Sequence, residues 1–172
     1  MKHLRLFESM TEIEVEKICK KYNIRNWTLN TDGTVDVDGN VGISGQRLSK
    51  LPLKFGRVTG DFFCSYSKLT SLEGCPTQIG GSFWCHDNQL TSLKGAPEYI
   101  EGKVEFMPND KLPEYIKQIL KLNDGSRDIQ KYILKWQKDY DVWRRDGSFN
   151  QDRFIQMMQD ASDELPKLKL PE

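Results

Sequence analysis

Residues 60–79 and 81–100 are near-copies of one another, and no other feature restricts the fold as much. Both follow the pattern G-x-F-x-C-x-x-x-x-L-T-S-L-x-G-x-P-x-x-I, with ten identities at an offset of 21 residues. Self-similarity at a fixed period of this size predicts a stack of like units, each too small to bury its own apolar face and each completed by its neighbours. Carried back by 21, Gly39, Val41, Ile43, Leu48, Leu51 and Val58 fall on Gly60, Phe62, Cys64, Leu69, Leu72 and Ile79. Carried forward by 21, Gly102, Val104, Phe106 and Asn109 fall on Gly81, Phe83, Cys85 and Asn88, after which the match decays. The chain therefore carries two good coils, a degenerate one before them and a partial one after.

Inside each unit the alternation Val41/Ile43, Phe62/Cys64, Phe83/Cys85 and Val104/Phe106 marks one short strand with those residues inward. The two leucines three apart carry the chain across the core. Gly74/Gly95 and Pro76/Pro97 bend it back, and Ile79/Ile100 seals the return. So short a coil leaves no room for a long helix on the back, where irregular or 3₁₀ structure is expected. Equivalent strands are expected to stack in parallel at about 4.8 Å.

The flanks read differently. Residues 9–22 have the pattern of an amphipathic helix, capped by Ser9 or Thr11, with Thr11 and Glu14 at capping-box spacing. Its stripe of Val15, Ile18, Cys19 and Tyr22 is expected to cover the open end of the stack. Two alternating runs around Asp32-Gly33 predict a hairpin. From Lys111 the character is helical. The spacing predicts one helix over 113–122 and a second, capped by Ser126, with a stripe of Ile129, Ile133, Trp136, Tyr140 and Trp143 packed on the last coil. A third is expected after Ser148 and Gln151, at capping-box spacing. The tail after Pro166 is expected to be mobile unless docked. The resulting expectation is an α+β chain: an N-terminal helix and β-hairpin cap (1–38), a short parallel β solenoid of about four coils (39–110) and a C-terminal helical cap (111–172).

Composition removes several function classes. Lys+Arg and Asp+Glu stand at 25 each among 172 residues, so the net charge is zero. A nucleic-acid surface needs clustered cations and is not expected. Lys131, Lys135, Lys138, Arg144 and Arg145 alternate with Asp128, Asp139, Asp141 and Asp146, a mixed-charge solvated face. No segment is apolar enough to span a bilayer, and the opening residues are too soon interrupted by charge for a signal peptide. The four cysteines (19, 64, 75 and 85) contain no C-x-x-C pair, which fits a reduced cytosolic setting. Cys64 and Cys85 fall in one inward column, where small thiols serve as core filling rather than as a metal or disulfide pair. The two histidines, His3 and His86, form no legible Ser–His–Asp or Cys–His constellation, and no phosphate-binding loop is present. Neither a catalytic residue, nor a metal ligand, nor a cofactor site is expected.

The L-x-x-L spacing, with Asn88 two residues before Leu90, resembles a leucine-rich repeat in a short variant with aromatic-x-Cys in place of L-x-L. Together with G-x-F-x-C-x-x-N-x-L-T-S-L-x-G-x-P, the helix ending Ile-Cys-Lys-Lys-Tyr (18–22) and Val37-Asp-Gly-Asn-Val41, the pattern is similar to leucine-rich-repeat-like proteins of tailed bacteriophages. The resemblance covers roughly residues 8–110 and departs from the pattern at Ser67, where the Asn is missing. It implies a solenoid with an N-terminal helix and hairpin. It assigns no activity, and it does not reach residues 111–172. Leucine-rich-repeat effectors with a ubiquitin-ligase domain carry a nucleophilic cysteine after the repeats, and here no cysteine follows Cys85.

The same parity that turns Phe62 and Phe83 inward turns Asp61, Phe63 and Ser65, then Ser82, Trp84 and His86, then Lys103, Glu105 and Met107 outward. Gly42, Phe63, Trp84 and Glu105 form one outer column, and Ser44, Ser65, His86 and Met107 the next. Exposed aromatics on a wet sheet face mark contacts, and Trp and Tyr serve as interface anchors. Asp61, Phe63, Tyr66, Trp84, His86 and Glu105 are therefore the candidate partner-binding residues. Burial of this face under the chain's own C-terminal helices, and a passive stack of Phe63 on Trp84, are the competing arrangements. The functional expectation is a non-enzymatic protein-binding module. The resemblance implies that it is phage-encoded, working in the host bacterial cytoplasm on a host or phage protein. The alternative is a structural component of a virion or other assembly, held by self-association.

Overall fold

A computed structural model describes residues 10–171 of the chain. Ser9 and His3 lie outside the described residues. The first helix, α1 (Glu12–Lys21), is capped by Thr11. The Glu14 N–H donates to Thr11 Oγ1 at 3.4 Å, and the Thr11 N–H donates back to the Glu14 carboxylate at 2.8 Å. This exchange satisfies two of the donors a helix start leaves free. Val15 and Cys19 are buried, with Ile18 and Tyr22 packed beside them, so the stripe faces the core. Strands β1 (Trp27–Leu29) and β2 (Val35–Val37) form the expected antiparallel hairpin. Its turn is held by Asp32 Oδ1, which accepts from the Thr34 N–H at 2.9 Å and the Thr34 hydroxyl at 2.7 Å, with Gly33 at φ +80°.

The coils follow as β3 (Val41–Gly42), β4 (Phe55–Val58), β5 (Phe62–Phe63), β6 (Gln78–Ile79), β7 (Phe83–Trp84), β8 (Tyr99–Ile100) and β9 (Val104–Glu105). They build two sheets, β1-β2-β4-β6-β8 and β3-β5-β7-β9, parallel everywhere except at the β1/β2 hairpin. The chain is thus a parallel β solenoid of about three turns, closed at both ends by helices. The stretches 64–77 and 85–98 are irregular as expected, but each full coil carries two strands rather than one, because the return forms a second sheet. Ile79 and Ile100 do not merely close the return. They sit in register on strands β6 and β8. Gln78-Ile79 and Tyr99-Ile100 each carry a single inward side chain and leave no alternation to read, which is why their pairing escapes a period-two search.

Between the sheets, Val41, Ile43, Phe62, Leu69, Leu72, Ile79, Phe83, Cys85, Leu90, Leu93 and Val104 have no exposed surface. Phe62 meets Phe55 edge-on at 5.2 Å and Phe83 at 6.2 Å, so the rings form a continuous axial stack. Burial of each phenylalanine is worth about 3 kcal/mol, the main gain available to so short a coil. The polar complement is a ladder. Asn88 Oδ1 accepts from the Leu69 N–H at 3.1 Å while its Nδ2 donates to the carbonyls of Cys64 at 2.9 Å and Cys85 at 3.1 Å. One coil on, Asn109 repeats the arrangement with the Leu90 N–H and the Cys85 carbonyl. Ser67 stands in the equivalent place one coil earlier, and its buried hydroxyl has no partner among the described residues. At the corner between the sheets successive coils touch through backbone. A Cβ on Gly81 would lie 2.7 Å from the Gly60 carbonyl carbon, and one on Gly102 at 2.7 Å from that of Gly81.

Three helices follow: α2 (Glu114–Leu122), α3 (Arg127–Trp136) and α4 (Gln151–Asp160). Helix α3 lies across the open end of the last coil and pairs its loose backbone groups. Gln130 Oε1 accepts from the Phe106 N–H at 2.7 Å and the Met107 N–H at 3.2 Å. Lys131 Nζ donates to the carbonyls of Glu101 at 2.9 Å and Gly102 at 3.0 Å, and Gln137 Nε2 to that of Leu93 at 3.1 Å. Lys138 pairs with Glu98. An unpaired buried backbone group costs about 1–3 kcal/mol, so this side-chain set is what lets the stack stop.

Two boundaries differ from the sequence reading. The Ile129/Ile133/Trp136 stripe is helical, but the helix ends at Trp136, and Asp141 turns left-handed at φ +50°. Tyr140 and Trp143 therefore lie beyond it, and Trp143 instead forms a bridge with Phe149 across a turn. Helix α4 is capped by Asn150 rather than Ser148: Asn150 Oδ1 accepts from the Arg153 N–H, while the Ser148 N–H donates to the Asp146 carboxylate at 2.9 Å in the turn before it. The tail is docked. The Asn123 amide donates to the Lys169 carbonyl and accepts from the Lys169 N–H, both at 2.8 Å.

Candidate functional site

The sheet β3-β5-β7-β9 has the expected parity. Phe62, Phe83 and Val104 are fully buried, while Phe63, Trp84 and Glu105 sit half-buried on the outside. Gly42, Phe63, Trp84 and Glu105 are consecutive register partners, so they form one column across four strands. The C-terminal helices stand at the end of the stack, and Arg127 reaches from them onto this face. Its guanidinium lies over the Trp84 ring, 5.2 Å from the centroid, and donates to Glu105 Oε2 from Nε at 3.1 Å and from Nη2 at 2.6 Å. A cation against an indole with a carboxylate at its edge is a favourable way to hold an arginine.

Tyr66 and His86 make the second feature. Tyr66 is 63 % exposed, and its ring meets the His86 imidazole at 5.0 Å and 86°. His86 Nδ1 is 2.6 Å from Asp87 Oδ2. Tyr66 and Asp87, 21 residues apart, both have φ +55°. Gly45 stands one coil earlier at φ +70°. Glycine meets this left-handed turn at no cost, whereas a bulky tyrosine there is an outlier.

The six candidate residues thus have different surroundings. Asp61 belongs to a side-chain ladder along the sheet edge. Its N–H donates to Asn40 Oδ1 at 2.8 Å, its Oδ1 accepts from the Ser82 N–H at 2.6 Å, and Ser82 Oγ accepts from the Lys103 N–H at 3.1 Å. Glu105 is bound to Arg127. Phe63, Trp84, Tyr66 and His86 form the aromatic part of the face. Ser65, expected outward, is buried at 3 % exposure, and its hydroxyl makes no hydrogen bond among the described residues. Arg127 and Asp87 escape sequence reasoning. Arg127 lies outside the repeat, and Asp87 shares nothing with its repeat counterpart Tyr66 except the backbone turn.

Cys64, Cys75 and Cys85 are buried free thiols in the core. Burial pushes the Cys64 and Cys75 thiols well above their ordinary range, which opposes thiolate chemistry. Among the described residues no group of three His, Cys, Asp or Glu side chains could hold a metal ion, and no helix is long and apolar enough to cross a membrane. A hollow of about 790 Å³ lies away from this face, between the turns at Gly74 and Gly95 and the Trp136–Trp143 segment. Its rim carries both signs of charge, Lys54, Lys94 and Lys138 with Glu73, Glu98 and Asp141. Compared with protein-family models, with curated proteins and with solved structures, the chain finds no match in any of the three.

Proposed function

We propose that this chain is a non-enzymatic protein-binding module that engages its partner through the outer face of β3-β5-β7-β9. The observation that carries the reading is the in-register column of Phe63 and Trp84 on the solvent side, flanked by the exposed ring of Tyr66. None of these rings is needed to fill the interior, which Phe62 and Phe83 already occupy. Aromatic residues of this kind are what interface centres are built from. A stack of coils presents them on a rigid surface, so little ordering entropy is lost on binding. The resemblance to leucine-rich-repeat-like proteins of tailed bacteriophages supports a host or phage protein as the partner, met in the bacterial cytoplasm.

The test is a pull-down with the wild type and with a Phe63→Ser/Trp84→Ser double variant whose fold is checked by circular dichroism. Loss of specific partners in the variant is the expected result. Identical partner lists from two folded proteins would overturn the reading. Light scattering on the isolated chain separates it from an assembly component, since self-association lost in the same double variant would favour the structural alternative.

A further inference from the structure

We infer that Tyr66, His86 and Asp87 form a receptor for an arginine side chain of the partner protein. The inference rests on the reading of this face as protein-binding and names what the partner brings to it. Its warrant is a precedent inside the molecule. Trp84 supplies a ring from one coil and Glu105, its register partner, a carboxylate from the next, and the guanidinium of Arg127 sits between them. Tyr66 and Asp87 stand in the same relation, a ring on one coil and a carboxylate on the next at the 21-residue offset. At Tyr66 and Asp87 no cation of the chain itself fills the place among the described residues. Asp87 has one oxygen on His86 Nδ1 at 2.6 Å, and its second carboxylate oxygen accepts no hydrogen bond among the described residues.

Two further observations point the same way. The Tyr66 and His86 rings meet at 86°, so they form a corner with two aromatic walls, and the Asp87 carboxylate lies at its edge. Tyr66 is also held at φ +55° where Gly45, one coil earlier, would meet the same turn without strain. A bulky side chain kept in that conformation and 63 % exposed is retained for something other than stability of the turn. Arginine suits the corner better than lysine, because its planar guanidinium stacks on a ring while its edge N–H groups reach a carboxylate.

The experiment uses the full chain, ¹⁵N- and ¹³C-labelled, titrated with blocked Gly-Arg-Gly tripeptide and with Gly-Lys-Gly as the comparison. The expected result is a set of shifts concentrated on the Tyr66 and His86 rings and the Asp87 amide, larger for the arginine peptide. Asp87→Asn should weaken the arginine response about threefold, the size of an exposed ion pair. Tyr66→Asn should abolish the localised response, and asparagine suits the left-handed turn, so the variant keeps its fold. Equal responses to the two peptides, shifts spread over the surface, or an unchanged response in Asp87→Asn would overturn the inference. A partner lost from the Phe63→Ser/Trp84→Ser variant in the pull-down, alongside a null titration, would sink the arginine receptor and leave the binding face standing. Localised arginine binding with an unchanged partner list would do the reverse.

Discussion

Arg127 covers Trp84. The guanidinium stands 5.2 Å from the centre of the indole and is fixed there by Glu105, so the C-terminal cap contributes this side chain to the outer face of the repeat. Arg127→Ala should uncover the ring. With Trp27, Trp136 and Trp143 replaced, iodide quenching of Trp84 fluorescence is expected to rise, with a stability loss of about 1 kcal/mol or less from an exposed pair and a stacked cation. Unchanged quenching would mean that the arginine does not shield the indole.

Asn88 bonds two coils at once, so its removal leaves the Leu69 N–H and the Cys64 carbonyl of the interior without partners, while the Cys85 carbonyl keeps its bond from Asn109. Asn88→Ala should destabilise by about 3 kcal/mol, read as a lower urea midpoint. Ser67→Asn is expected to act in the other direction, by about 1 kcal/mol, because it fills the ladder at the one coil where the hydroxyl is orphaned. A destabilised Ser67→Asn would show that the degenerate first coil lacks the geometry of its neighbours.

The core thiols should be inert while the chain is folded. Burial raises Cys64 and Cys75 well above their ordinary values and Cys19 to about 11. At pH about 8 iodoacetamide is expected to modify these cysteines only at the rate of global opening, and quickly once urea is added. Fast labelling of any of them in the native chain, followed by mass spectrometry, would contradict the packing described for the core.

Alkaline pH should weaken the C-terminal cap. Tyr132 is raised to about 12 by burial, and Tyr140 is raised by the hydrogen bond it donates to Asp160 at 2.8 Å. In the unfolded chain both phenols ionise near pH 10. The folded state holds its protons longer, so its advantage is complete below about pH 10 and is lost as pH climbs towards about 12. Urea midpoints across that window should fall, and Tyr132→Phe should flatten the decline.

How much of this was legible in the sequence follows from what a repeat encodes. Phe62 and Phe83 recur with alternate partners, so parity alone places them inside and sets Phe63 and Trp84 outside. Thr11 with Glu14 and Asp32 with Gly33 are local signals, and local signals need no tertiary context. The second sheet was not legible, because Gln78-Ile79 and Tyr99-Ile100 each offer one inward residue and no period. The true cap of α4 was obscured by Ser148, which the nearer Asp146 claims. Arg127 could not be found at all. Its role depends on where α3 is laid across the last coil, and that is decided by Gln130, Lys131 and Gln137 together, through contacts to backbone that no sequence spacing announces.

The corner contacts of Gly60, Gly81 and Gly102 make each coil an interchangeable layer. A 21-residue tandem duplication opened at Gly81 would insert one strand into each sheet, leave the hairpin and α3 seated on unchanged neighbours, and lengthen the outer face by about 4.8 Å. The molecule's reach is thus a countable quantity, adjustable in whole steps by copying sequence it already owns.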